Sequence, residues 1–208
     1  MIVIKTPEEI ELISQGGKIS SAVLAKVIEN VKVGVKLSDL DKIAEEVIVD
    51  NKALPSFKIV HGYKYATCIN TNEGIVHGIP NETVIKSGDL VKIDLVVFYK
   101  DFNTDVSYTV EVGTFNEETF LNTGKKALEH AVAKCVSGNR IGDISNAIQL
   151  IVESGGYSVS RELIGHGVGR ELHEDPDILG YGVAGSGKLI KEGMVFAIEV
   201  IYQKGNPQ

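Results

Sequence analysis

"GDLVKIDLVVFYKDFNTDVS", residues 88–107, alternates along an extended run, with Val91, Ile93, Leu95 and Val97 toward one face and Lys92, Asp94, Val96 and Phe98 toward the other. A period of two predicts a β-strand with one face in a core. A second strand returns after a turn near Tyr99-Lys100, and a two-residue loop there sets Asp105 opposite Asp94, with Cβ atoms ~5 Å apart. Two carboxylates that close repel each other unless a proton or a cation lies between them, and divalent cations favour oxygen ligands. An exposed hairpin with two surface acids, or a longer turn that breaks the pairing, is the alternative.

The same pattern recurs further along the chain. "GMVFAIEVIY" from Gly193 overlies "GDLVKIDLVV" from Gly88 at an offset of 105, which puts Glu199 on Asp94. Upstream, "GNRIGDISNAIQLIV" from Gly138 overlies "GVKLSDLDKIAEEVI" from Gly34 at an offset of 104, pairing Leu37 with Ile141, Asp39 with Asp143 and Leu40 with Ile144. Leu24, Val27, Ile28 and Val31 fall on Leu128, Ala131, Val132 and Cys135 at that offset. Repetition of helix, helix, sheet at this period reads as an internal duplication. The expected organisation is a single domain over 1–208 made of half-repeats at about 1–113 and 114–208.

Local signals agree with that order. Thr6-Pro7-Glu8-Glu9 combines a cap residue, a proline at the first helical position and a Glu three residues after the cap, opening a helix with Ile10, Ile13, Leu24, Val27 and Ile28 inward. Gly16-Gly17 weakens its middle. A second helix starts at Ser38 and buries Leu40, Ile43, Ala44, Val47 and Ile48. Alternation and Gly-rich turns from about 55 to 113 predict antiparallel strands. Two more helices follow, "NEETFLNTGKKALEHAVAKCV" and "DISNAIQLIVESG", and then strand-like segments, one carrying Glu199 between Val195, Phe196, Ile198, Val200 and Ile201.

Composition bounds the function. A net charge of −7 and the lack of a long Lys/Arg cluster exclude a nucleic-acid footprint. No apolar run is long enough to span a bilayer, and "MIVIKTPEEI" lacks a signal-peptide pattern. Cys68 and Cys135 are too few for a disulfide framework and are not spaced as a metal motif. A cytoplasmic protein is the expectation.

Histidines extend the carboxylate set. In "LIGHGVGRELHEDP", residues 163–176, His166 sits between glycines that allow close backbone approach, and His173 follows seven residues later beside Glu174 and Asp175. A phosphate-binding reading of the glycines fails, because no strand-turn-helix accompanies them. In the first half, "IVHGYKY" and "GIVHGIP" contribute His61 and His77, while His130 lies on an amphipathic helix and reads as a surface residue. Asp94, Asp105, His166 and Glu199 form a mixed oxygen and nitrogen set without thiolate, suited to Mn, Fe(II), Co or Zn, with His77 and His173 as accessory or catalytic groups. A structural role for the histidines is the competing reading.

These residues resemble the type I methionine aminopeptidases. The resemblance covers nearly the whole chain and rests on "CINTNEGIVHGIP" (68–80), "GDLVKIDLVVFYKDFNTDVS" (88–107), "GHGVGRELHEDP" (165–176) and "EGMVFAIEV" (192–200), in family order and approximate spacing. It implies an α+β pita-bread fold, with two pseudo-symmetric halves whose helices pack on a curved antiparallel sheet. The interval from His166 to Glu199 leaves no room for the insert of type II enzymes, and "VHGIP" in so compact a chain separates it from the related proline dipeptidases. The implied activity is metal-dependent removal of N-terminal methionine from peptides and nascent chains, at the ribosome, by a monomer. Asp94, Asp105, His166 and Glu199 would hold two divalent ions, with Asp105 shared between them. Glu199 would take a proton from the attacking water, His173 would stabilise the oxyanion and His77 would position or protonate the new amine. Tyr63 and Cys68, with His77 and His173, would contact substrate.

Two departures from the family stand out. Phe57, Val60 and Leu172 occupy pocket positions where well-known bacterial members have Cys, Tyr and Phe. The family's fifth ligand, a glutamate on a later strand, has no match; by the internal repeat it would fall at position 210, past Gln208. This form is therefore expected to hold its second ion incompletely and to be weakly active or inactive. A non-catalytic peptide-binding module of the same fold, or a proline-directed dipeptidase, is the alternative.

Overall fold

A hairpin organises the first of two units in the computed structural model, which describes residues 1–206. This N-half unit comprises Glu8–Asn116 with Gly169–Leu172; the C-half unit comprises Met1–Pro7, Glu117–Val168 and the chain from His173 on. In the N-half unit, strand β3 (Leu90–Tyr99) pairs with β4 (Phe102–Glu111) over ten antiparallel positions. Lys100 and Asp101 make the turn with φ of +48° and +70°, the left-handed pair that a tight hairpin requires. The turn thus lies one residue later than the sequence suggested, because Tyr99 stays in the strand and Asp101 tolerates positive φ. Asp94 consequently faces Ser107, and Asp105 faces Val96. The expected direct opposition of the two aspartates is corrected to a diagonal one, and they remain on the same face because the pairing shifts by two positions.

Strands β1 (Leu54–Pro55) and β2 (Thr67–Thr71) run along the other edge of β3. Helices α1 (Pro7–Glu29) and α2 (Leu37–Asp50) cover the apolar face, where Val91, Ile93, Leu95 and Val97 pack with Val23, Val27, Leu40, Ala44 and Ile48. Each of the Val, Leu and Ile side chains among them contributes about 1.5–3 kcal/mol of burial. Gly16 does not interrupt α1. It is buried where an added Cβ would lie 3.1 Å from Thr104, and Ser20 Oγ meets Thr104 Oγ1 at 2.7 Å, so the glycine serves close approach of helix to strand. Strands occupy only part of 55–113, since residues 72–89 form a loop laid back on β2 by the Ile69 N–H bond to Gly78 O at 2.8 Å. The 169–172 segment is held by Asn103, whose backbone and side chain both donate to Gly169 O and whose side chain also donates to Arg170 O.

In the C-half unit, α3 (Glu118–Lys134) and α4 (Ile141–Ser154) bury Ala127, Ala131, Ile144, Ile148 and Val152 against Val159 and Ile178. Its strands are short: β5 (Ser158–Val159) pairs with β9 (Tyr202–Gln203), and β6 (Gly165–Gly167) lies between β7 (Glu174–Ile178) and β8 (Phe196–Ala197). The continuous strand expected through Glu199 is therefore corrected. The chain bonds β6 through β8 and β5 through β9, and Glu199 sits in the changeover between partners.

The duplication is visible within each unit separately. Lys36 bridges to Val84 and Arg140 to Leu189, the same link at offsets of 104 and 105. Gly34 and Gly138 share positive φ values of 92° and 97°, and Gly88 and Gly193 share 89° and 85°. Leu40 and Ile144 are both fully buried. No helix among the described residues is long and apolar enough to cross a membrane.

Candidate active site

On the open face of the N-half sheet, Asp94 of β3 and Asp105 of β4 are half-buried diagonal neighbours, a relation that spaces Cα atoms by about 7–8 Å. Cys68 of β2 stands directly across from Asp94. Burial, with added repulsion from the charges of Asp94 and Asp105, pushes its thiol up to about 11, so it stays protonated at neutral pH. Tyr63 donates its hydroxyl to Thr67 O at 2.8 Å and lies 3.3 Å from Cys68 Sγ. Its ring meets Phe57 and Tyr65 edge-on at 5.9 and 5.6 Å, and burial drives its phenol far above the ordinary range. The result is an aromatic and sulfur wall beside the aspartates.

His77 lies in the loop after β2, exposed, with φ of +56°. Non-glycine residues seldom adopt this conformation, and it is held here because Gly78 packs where a Cβ would come within 2.3 Å of Ile69 O. His61 and His130 are exposed.

In the C-half unit, His166 is 6% exposed on β6. Gly165 and Gly167 flank it where Cβ atoms would lie 2.5 Å from Ala197 O and 2.2 Å from Asp175 O, so only glycine lets the backbone deliver the ring into this centre. Its Nδ1 is 2.8 Å from Gly167 O. A carbonyl only accepts, so Nδ1 carries the proton, and in the neutral ring Nε2 is an acceptor. That nitrogen points at Glu199 Oε1, 3.3 Å away. Two acceptors at this separation are held together by a proton or by a cation. His173 completes the group, its ring 4.3 Å from that of His166 at 71°. Directly after it, Glu174 forms an ion pair with Lys5, both side chains almost wholly buried.

Residues 11–207 match the sequence pattern of metallopeptidase family M24. The chain belongs to that family. It is 38% identical to the methionine aminopeptidase of Clostridium perfringens over 99% of this chain and 84% of that one. The crystal structure of methionine aminopeptidase from Thermotoga maritima superimposes with a TM-score of 0.89 at 40% identity, covering 95% of this chain and 81% of that one. The enzyme of the same name from Rickettsia prowazekii gives 0.96 at 32% identity, covering 100% and 85%. The fold is thus the pita-bread fold of these metallopeptidases, and the chain is a hydrolase of the M24 class.

The donor set fits a divalent metal. An imidazole nitrogen set against a carboxylate, and separately a pair of neighbouring carboxylates, are donors of the kind that ions of the Mn to Zn series take. Two features were absent from the sequence reading. Asp41, buried on α2, accepts bonds from Ala66 N, Thr67 N and Thr67 Oγ1 at 3.0, 2.9 and 2.7 Å, and burial still raises its carboxyl above the usual range. A signal for it existed, since Asp41 falls on the inward stripe Leu37, Leu40, Ala44, Ile48. Lys5 and Glu174, 169 residues apart, carried none.

Proposed function

We propose that the chain, acting as one catalytic domain, removes N-terminal methionine from peptides and nascent proteins by metal-dependent hydrolysis. The observation that carries this reading is the His166 to Glu199 contact with His173 against it, in a chain of the M24 family with methionine aminopeptidases as relatives. Asp94, Asp105, His166 and Glu199 would hold the metal, taken from Co, Mn, Fe(II) or Zn, as two ions. When bound, such ions supply Lewis acidity to the scissile carbonyl and acidify water. Glu199 accepts the proton released in the attack. His173 donates a hydrogen bond to the oxygen that becomes negative, an interaction strongest in the transition state. His77 orients the substrate amine and protonates the leaving amine. Tyr63 and Cys68 line the methionine side chain, for which a polarizable wall is well suited. The working form is a monomer in the cytoplasm that acts on chains emerging at the ribosome.

The test is hydrolysis of Met-Ala-Ser against an X-Pro dipeptide, with metal added. Cleavage of the first alone, abolished by Asp105→Ala, is the expected result. Preferential cleavage of X-Pro peptides would move the reading to a dipeptidase, and binding of peptides without turnover at any metal concentration would make the chain a binding module.

A further inference from the structure

A buried carboxylate on a helix usually costs stability, so Asp41 calls for a physical account. It is 6% exposed on α2, yet its Oδ1 takes all three bonds from Ala66 N, Thr67 N and Thr67 Oγ1, two residues that are themselves fully buried at the entry to β2. Thr67 O in turn accepts the hydroxyl of Tyr63, and that hydroxyl touches the sulfur of Cys68. One carboxylate oxygen therefore anchors the backbone on which the aromatic and sulfur wall is built.

The duplicated half separates this role from a requirement of the fold. At the equivalent position, 104 residues on, stands Ser145, also buried at 3% exposure on an equivalent helix. A serine thus serves the same helix-on-sheet packing in a unit that carries no Tyr63 or Cys68. The carboxylate is confined to the half that carries the wall.

We propose that Asp41 is a positioning residue for side-chain selection: through Thr67 it holds Tyr63 and Cys68 at the spacing that admits an unbranched thioether side chain at the N-terminal residue of the substrate. This rests on the assignment of Tyr63 and Cys68 to the methionine pocket. Ser cannot reach both Ala66 N and Thr67 N from α2, so Asp41→Ser frees the start of β2 and loosens the wall. Asn keeps an acceptor oxygen at the same reach.

The experiment measures kcat/KM for peptides beginning with Met and with Leu on the metal-loaded chain, together with metal content. Asp41→Ser is expected to cut the preference for Met about tenfold, chiefly through KM, at unchanged metal content, with Asp41→Asn restoring most of it. Cys68→Ala is the control for the underlying assignment and should shift the same ratio. If Cys68→Ala shifts it and Asp41→Ser does not, the proposal is overturned while the pocket stands; if Cys68→Ala leaves it unchanged, the pocket assignment itself fails and the proposal with it. Should Asp41→Ser not fold, Thr67→Val removes one of the three bonds at nearly constant shape. A several-fold loss of preference then supports the role, and an unchanged ratio overturns it.

Discussion

In the N-half unit, Asp94 and Asp105 ride on two ten-residue strands whose ladder holds them in register. In the C-half unit, the strands around the site are two or three residues long, and His166 and Glu199 are placed instead by glycines pressed against backbone carbonyls and by a chain that changes partner around Glu199. The two halves share a matching link, the paired bridges at Lys36 and Arg140. One keeps its site side chains rigid through many equivalent hydrogen bonds, the other through a few irreplaceable close contacts. Damage to the two should therefore look different even where the catalytic consequence is the same.

The largest expected effect tests that equivalence and its limit. His166→Ala and Asp105→Asn should each lower kcat/KM for a Met peptide by roughly 10⁴-fold, about 5.5 kcal/mol of lost transition-state stabilisation. Thermal unfolding without metal should divide them. Asp105→Asn removes one of two neighbouring like charges on a regular hairpin and should hold or raise Tm. His166→Ala leaves a cavity among backbone atoms that cannot close, and Tm should fall. Equal falls in both variants would show that the two halves hold their ligands in the same way.

The sequence revealed the plan better than the contacts. Periodicity and punctuation located the four helices within a few residues, because Pro7, the Gly34 and Gly138 turns and the apolar stripes act locally. The face shared by Asp94 and Asp105 was legible from alternation combined with a two-residue turn. Their register was not, since it depends on which two residues of the turn adopt positive φ, and Lys100 with Asp101 took that role rather than Tyr99 with Lys100. The break at Glu199 was hidden because Phe196, Ile198 and Val200 alternate as a strand does, while partner choice is decided by distant segments. Asp41 was an acid on an inward stripe whose partners lie 25 and 26 residues away, and no local rule identifies them.

A second, smaller effect concerns the buried pair of Lys5 and Glu174, which has no parallel in the N-half hairpin. Lys5 N also donates to Gly193 O at 2.8 Å, so the N-terminal segment is stitched to both the start of β7 and the turn before β8. Lys5→Met should destabilise the chain by about 3–5 kcal/mol, because it removes the cation from a buried ion pair. The double variant Lys5→Met with Glu174→Met should recover much of that loss. Urea unfolding of the single and double variants gives the comparison. A single variant as stable as the parent would mean that the C-half unit does not depend on this contact.

The smallest effect compares the two equivalent helix starts. At α4, Asp143 accepts from Arg140 N and from Gly185 N, both at 2.7 Å, and these bonds, the first above all, hold its carboxyl below the ordinary 3.8. At α2 the matching Asp39 meets Lys42 Nζ at 3.1 Å, and Glu82 takes over by accepting from Lys36 Nζ and Ser38 Oγ, both at 2.8 Å. A lowered carboxylate pKa adds stability above the unfolded value near 3.8 and loses it as pH falls through the folded value. Asp143→Asn should therefore lower Tm at pH 7, and the deficit should shrink and vanish as pH drops below that range. Asp39→Asn should change Tm little at either pH, because its carboxylate supports no backbone N–H. Circular-dichroism melts of both variants at neutral and acid pH provide the readout, and a deficit for Asp143→Asn that persists unchanged into acid would remove the carboxylate from the account of this helix start.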